Sequence, residues 1–462
     1  MKSRLIGDRS FYRQVFVIAL PIILQNLITN MVSLLDNVMV GQLDIAQTTT
    51  VSIVNNNIFF ILNICMFGGS AGAGIFTTQF YGSGDQKGIS YTVRYKMLVC
   101  LLIAVIGCGV CYFGSDALIG LYLEGDWDPE LRAQALHYGR QYLQIMLLGL
   151  VPFAVTNAYA STLRECGHPT VPMVAGIIAM GVNLVGNYIL IFGHFGAPAM
   201  GVAGAATATV ASRYVEMLIV ILWTHLNPKK NPYAKGLCRS FYIPGKLFKR
   251  ITVKGMPLLI NEAAYTVGMA FLNQCYSTCG QDVMSALLIS TTIYNLTAVV
   301  FRSLGNTAGI IMGRMMGANR SHEEIVDCNQ KLIALSVFSG VVCGGLTVAT
   351  SGLFPQLYDM SDSIRRLAMN LTIIAAVAMP LQAYIFPVYF TLRAGGKTIV
   401  TFLFDSGAIW ILMLPIAFIL SRFTGLSILV IYGLCNAMDL IKCAIGYYFL
   451  RKGDWIQNIT GK

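Results

Sequence analysis

Charge is what this 462-residue sequence has least of. Asp, Glu, Lys and Arg together make up 11% of it, about half the share of an ordinary soluble chain. That charge falls in short clusters between long apolar runs, and 56% of the residues are hydrophobic. A water-facing surface needs charge everywhere, so a string of soluble domains is excluded and a polytopic membrane protein is implied. Acids are scarcer than bases, 21 against 32, for a net charge of +11. On a soluble protein that excess would raise nucleic-acid binding. On a membrane protein it marks a side, and no nucleic-acid partner is expected. Histidine is nearly missing: His137, His168, His194, His225 and His322 fall at loop or helix-end positions without metal-ligand spacing. No HExxH or paired intramembrane Asp motif appears and no His lies mid-span, so neither a zinc centre nor a membrane-embedded hydrolase is expected. Cysteine is present, but Cys65, Cys100, Cys343, Cys435 and Cys443 lie inside apolar runs, and the Cys108–Cys111 CxxC reads as small packing residues on a helix. No cofactor, resident metal or enzyme activity follows.

What is there in quantity is apolar length. A bilayer core takes about 20 apolar residues per helix, and twelve such runs are found, near 14–40, 49–80, 93–114, 134–160, 169–192, 200–224, 254–276, 283–312, 331–353, 367–391, 399–420 and 426–450. Closed β-barrels are excluded, because their strands are short and strictly alternating. An even number of spans puts both termini on one side. Lys and Arg decide which side. The N-terminus, the 81–96, 163–168, 225–254, 313–331 and 393–398 loops and the C-terminus carry most of them. The central loop alone holds Lys229, Lys230, Lys235, Arg239, Lys246, Lys249, Arg250 and Lys254, with no acid. The opposite connections hold only Arg132, Arg140, Arg365, Arg366 and Arg422, together with the acids Glu124, Asp126, Asp128 and Glu130. Both termini are therefore expected in the cytoplasm. The polar start, with Lys2, Arg4, Arg9 and Arg13, and the long run behind it do not form a cleavable signal peptide.

The two halves repeat. TLRECG at 162–167 returns as TLRAGG at 391–396, and Pro152 as Pro380, both about 230 residues on. Pro21 matches Pro257, Gly74 matches Gly309 and Gly82 matches Gly317 at a slightly longer offset. Six spans per half is an even number, so the copies run parallel about an axis normal to the membrane. The expected architecture is all-α: an N-lobe of six helices at 1–224, a basic cytoplasmic linker at 225–253 and a C-lobe of six helices at 254–462. A seam between two like bundles suits alternating access and is not needed by a channel.

Ionisable side chains inside spans are costly and call for a partner or a purpose. Eight are found: Asp36, Arg213, Glu216, Glu262, Arg302, Asp405, Asp439 and Lys442. Arg213 with Glu216 and Asp439 with Lys442 are i,i+3 neighbours that can neutralise each other on one helix face, and Asp405 lies near enough to a span start to reach the interface. Asp36 has no basic neighbour within a turn. It ends a stripe of Asn26, Thr29, Asn30, Ser33, Asp36 and Asn37, whose intervals of three and four put them on one face. Such a face looks into protein or a wet cavity, not lipid. A poorly hydrated cavity disfavours the charged form of a carboxylate, so a lone acid there can alternate between a proton, an alkali cation such as Na⁺ and an organic cation. In the fifth span Asn183 and Asn187 share a face at i,i+4. In the seventh, Glu262 sits with Asn261, Tyr265, Thr266 and Asn273. Arg302 in the eighth lies about 15 Å from the cytoplasmic side by helical rise, near the depth of Glu262. A Glu262–Arg302 ion pair would make Glu262 a strut or gate; without the pair it is open to a coupling ion.

These residues carry a resemblance. ALPIILQNLITNMVSLLDNVMVGQL at 19–43, QFYGSGD at 79–85, TLRECGHP at 162–169, NLVGNYILIFG at 183–193 and GVAGAATATV at 201–210 resemble, in order and spacing, the multidrug and toxic compound extrusion (MATE) transporters, from about residue 12 to 450. The resemblance implies two six-helix lobes forming a V, with substrate held between or within them, and export coupled to inward Na⁺ or H⁺ flow. It makes Asp36 the recurrent functional acid of bacterial members. Many members carry an aspartate where this chain has Asn187, so a full carboxylate pair is absent here. Asn157 and Thr209 match neighbouring polar positions. Some members place a functional acid at Glu262 and pair it with an acid in the tenth span, where this chain has Gln382. The implied protein is a single-chain exporter of amphipathic, often cationic small molecules in the bacterial cytoplasmic membrane. A lipid-linked or oligosaccharide flippase of related architecture is the alternative; it should line its cavity with several arginines, where this chain shows Asn, Thr, Ser and one or two acids.

Overall fold

The computed structural model describes residues 5–123, 128–357 and 360–461, all but the side chains of Leu34, Asn37, Cys238, Gln281 and Leu357. Lys2, Arg4, Glu124, Asp126 and the side chain of Asn37 thus lie outside the described residues. Among those described there is helix and no strand. The long elements are α1 (Arg9–Val40), α2 (Ile45–Gly82), α3 (Gln86–Phe113), α4 (Pro129–Leu147), α5 (Leu150–Glu165), α6 (Thr170–Phe192), α7 (Val202–Leu226), α8 (Gly245–Ser277), α9 (Gln281–Gly317), α10 (His322–Thr350), α11 (Asp362–Ala394), α12 (Thr398–Phe423) and α13 (Ile428–Lys452). Ten are long and apolar enough to cross a bilayer, and α4 with α5, bent by 45° at Leu148–Gly149, makes an eleventh span. The twelfth expected run falls on α8. At 33 residues it is long enough, but Asn261, Glu262, Asn273 and Gln274 keep its apolar half more polar than the others.

The chain divides into two compact units. One comprises Leu24–Thr77 and Asp85–Gly255, the other Met1–Ile23, Thr78–Gly84 and Met256–Lys462. Helices α1, α2 and α8 therefore each run from one unit into the other. In the first unit α2, α3, α4, α5 and α7 enclose a core that includes Met66, Cys100, Ala104, Leu143, Leu150, Ala154 and Ala206. The α6–α7 hairpin is close because Gly186 lies against Ala208 and Gly204 against the Leu190 carbonyl. The basic connection is folded onto this unit: Tyr233 and Leu237 are buried, and Arg94 donates to the Gly236 and Tyr242 carbonyls at 3.1 and 2.9 Å.

In the second unit α9, α10 and α11 pack through small residues, with Gly305 and Gly309 against Phe386 and Phe390, and Gly340 and Gly344 against α11 backbone. Close backbone approach through small residues is how apolar helices gain contact inside a bilayer. The repeat-related glycines meet here. Gly82 lies on the Arg314 carbonyl and Gly317 on the Gln79 carbonyl, so no larger residue fits either place. Gln79, fully buried, donates to the Ala394 and Gln457 carbonyls at 3.0 Å each and accepts from the Ile459 amide at 2.7 Å. With Trp455 buried beneath Gly395, these bonds tie the C-terminal segment to its unit.

Candidate functional site: a carboxylate among amides and a shared lysine

Helix α1 places Asp36 against α6. The Asn187 amide donates to the Asp36 carboxyl at 2.9 Å and lies 3.4 Å from the Asn183 oxygen; the Asn183 amide contacts Thr209 Oγ1 at 3.1 Å. Asn183 and Asn187 are buried. The i,i+4 spacing on α6 brings both amides to the acid, and α7 supplies Thr209 one layer behind. Higher on the α1 face, Thr29 and Ser33 turn their hydroxyls to the Gln25 and Thr29 carbonyls at 2.8 and 2.9 Å, a local use of polar side chains within a helix. Asp36 reaches across from that face to another helix.

The Asn183 amide has two useful orientations. In one, its oxygen faces the Asp36 carboxyl, which suits a carboxyl carrying a proton. Turned over, its nitrogen donates to both Asp36 oxygens at 3.0 and 3.1 Å while its oxygen accepts from Thr209 at 3.1 Å, which suits the carboxylate. Thr209 has one hydroxyl proton and gives it to the Ala205 carbonyl at 2.9 Å in the first case. Asn157 is not part of this group. It donates to the Met66 carbonyl at 3.3 Å and to Ser70 at 3.4 Å, tying α5 to α2 as a packing residue.

Sequence reasoning missed two features of this unit. Tyr142 on α4, hydrogen-bonded to Asn55 at 3.0 and 3.2 Å, lies in the fields of both Asp36 and Arg213. Asn55 reaches it from a π-helical turn, Val54–Phe59; such turns recur at functional sites. Lys96 and Glu165 read as loop charges from the sequence, yet Lys96 is fully buried and bonded to Glu165 at 2.5 Å and to Ser161 and Thr162 at 3.2 Å each. Arg213 and Glu216 do not form a closed pair. The guanidinium stacks on Phe59 and Phe153, 5.3 and 5.2 Å from the ring centres, and Glu216 feels Arg164 before Arg213.

The second unit is organised around a different group. Asp405 stands on another π-helical turn, Leu403–Gly407. One of its oxygens accepts from Asn261 at 3.1 Å and the other lies 3.6 Å from the Lys442 ammonium. Asn261 also donates to Tyr389 at 3.2 Å and accepts from Ser406 at 2.6 Å. Gln382 donates to one oxygen of Asp439. The i,i+3 pairing of Asp439 with Lys442 is thus superseded, because Lys442 reaches the π-turn of the neighbouring helix and Gln382 takes Asp439. Asp405 does not go to the interface.

Glu262 and Arg302 form no ion pair among the described residues. Arg302 lies over Tyr294 and Phe386, 5.3 and 5.6 Å from their centres, and contacts Asn295 at 3.5 Å. A delocalised guanidinium is stabilised on aromatic faces without an acid. The charges acting on Glu262 are those of Arg393 and Asp405.

A helical chain of two units, each with a half-buried acid facing amides on apolar helices, has the make-up of a polytopic membrane protein. The particular family follows from comparison. The MatE family model matches residues 21–189 and 257–419, one stretch in each half, and the chain belongs to that family. It is 22% identical over 454 residues to a probable multidrug resistance protein, NorM, of Thermotoga maritima, covering 96% of this chain and 93% of that one. It is 24% identical over 453 residues to a probable multidrug resistance protein, YoeA, of Bacillus subtilis, with 95% and 94% covered. Among solved structures, an outward-facing multidrug resistance MATE family transporter of the MOP superfamily superposes with a TM-score of 0.85 at 18% identity over 98% of both chains. A MOP superfamily transporter from Pyrococcus furiosus gives 0.84 at 18% identity, with 97% and 96% covered. These likenesses show the fold.

Proposed function

We propose that the chain is a secondary-active antiporter that exports amphipathic, often cationic small molecules across the cytoplasmic membrane by alternating access, driven by inward H⁺ or Na⁺. Several curated relatives are named as multidrug resistance proteins, which supports drugs and toxins as the substrate class. The carrying observation is Asp36, an acid on an apolar helix whose hydrogen-bond partners are neutral amides. A carboxylate with no resident cation leaves its charge available, and proton, alkali cation and organic cation compete for it. That competition is the simplest coupling of import to export. In this reading Asn183, Asn187 and Thr209 position Asp36, Asn157 packs the helices behind it, and both termini face the cytoplasm. The flippase reading gains nothing, since Arg213 and Arg302 are engaged with aromatic rings. The test is a proteoliposome assay with a fluorescent cation, imposing a pH gradient and a Na⁺ gradient separately. Export driven by one of them is expected; movement driven by neither contradicts antiport.

A further inference from the structure

The Asp405–Lys442–Asp439 group carries an inference of its own. Two carboxylates share one ammonium, and they are not equally served. Asp405 has both oxygens partnered, by Lys442 at 3.6 Å and by Asn261 at 3.1 Å. Asp439 is fully buried; Gln382 bonds one of its oxygens, and the other is buried without any hydrogen-bond partner. A bare carboxylate oxygen in that setting is costly, whereas a carboxylic acid needs no compensating charge. The charges acting directly on Asp439 are Lys442 on its own helix and Asp405 on α12. Cys443 on α13, Tyr265 on α8 and Tyr294 on α9 lie in its field. Arg302 acts on the two tyrosines, and Glu262 faces Arg393 and Asp405.

We propose that this group is a second proton-binding centre, in which uptake of a proton by Asp439 releases Lys442 to Asp405 and loss of that proton draws Lys442 back to Asp439. The balance is simple. A solvent proton adds to the Asp439 carboxylate and forms an O–H bond, and the group passes from net −1 to neutral with Lys442 charged throughout. The i,i+3 spacing on α13 keeps Lys442 within reach of Asp439, while the π-turn of α12 holds Asp405 at its other side. The structure has the geometry of the protonated form. A proton suits the place better than a metal ion. Among the described residues no three metal-ligating side chains converge, and the resident ammonium would repel a second cation. The inference does not rest on Asp36, which belongs to the other unit.

The test is pH-difference infrared spectroscopy of the purified full-length protein, reading the carbonyl stretch of protonated carboxyls. Isotope-labelled aspartate separates these bands from those of Glu216 and Glu262. Measured in an Asp36→Asn background, so that the other protonatable aspartate is gone, the protein should show an aspartic-acid band that bleaches as pH rises, and the further variants are made in that background. Asp439→Asn should remove it. Asp405→Asn should remove it as well, because Lys442 then has only Asp439 to neutralise and keeps it ionised. Because the band is read without Asp36, failure of the Asp36 reading and failure of this one are told apart. A band that survives in folded Asp439→Asn, or that keeps full intensity in Asp405→Asn, overturns the proposal. Should Asp439→Asn not fold, the Asp405→Asn spectrum decides alone.

Discussion

The two units solve the same problem in opposite ways. Each must keep an acid inside an apolar helical bundle. The first surrounds Asp36 with neutral donors, the Asn187 and Asn183 amides, and among the described residues supplies no cation. The second gives Asp405 a resident ammonium, Lys442, together with an amide from Asn261. Amides solvate a charge without cancelling it, so the first site stays open to an incoming cation. An internal ammonium cancels most of the charge, which disfavours a further cation there. The comparison also separates this chain from the resemblance it started with. Asn187 and Gln382 stand where acids occur in many or some members, so neither unit carries the carboxylate pair that the family pattern suggests. The second unit keeps two acids by drawing them from other helices, α12 and α13.

The contrast can be broken at several points. The largest effect is expected from Lys442→Met, which leaves Asp405 and Asp439 buried without a cation. Removing one partner of a buried ion pair costs about 3–5 kcal/mol, so thermal unfolding in detergent should drop sharply, and adding Asp405→Asn should restore much of it. No recovery in the double variant would mean that Lys442 does not serve Asp405. Lys96→Met should be slightly milder, about 3 kcal/mol, because its partner Glu165 keeps some exposure; Lys96→Met with Glu165→Gln should fold like wild type, and a pair that stays destabilised would put the cost in packing. Next comes Asn187→Ala. It removes a hydrogen bond to a charged group, costing about 1.5–3 kcal/mol of stability, and should slow gradient-driven export about tenfold or more. Unchanged export would take Asn187 out of the site. The smallest effect is expected from Asn157→Ala, about 1 kcal/mol of stability with coupling intact, since it bonds α2 and not Asp36. A loss of coupling there would move Asn157 back into the first site.

Much of this was legible in the sequence, for physical reasons that differ by region. Apolar length marks spans, and eleven of the twelve runs correspond to helices, or one bent pair, that pass as spans on length and composition; α8 is the exception because its polar face carries Asn261 and Glu262. Helical spacing brought Asp36 to one face of α1 and Asn183 with Asn187 to one face of α6, and these groups meet. Pairing across helices was not legible. Lys442 has a nearer acid along the chain in Asp439, and only the packing of α12 on α13 makes Asp405 its partner. Lys96 sits at the end of a charged loop, where sequence cannot distinguish an interfacial lysine from one buried against Glu165. Arg302 was matched to Glu262 on depth alone, and depth says nothing about which way a side chain turns. The π-turns that aim Asn55 and Asp405 leave no sequence pattern that hydropathy detects.

The central claim is that a single carboxylate without a resident cation couples ion entry to export. Export of a fluorescent cation by Asp36→Asn in proteoliposomes, under imposed pH and Na⁺ gradients and with the variant inserted and folded like wild type, tests it most directly. The account predicts that neither gradient drives export in the variant, while the same gradient drives it in wild type. Full gradient-driven export by Asp36→Asn would contradict it.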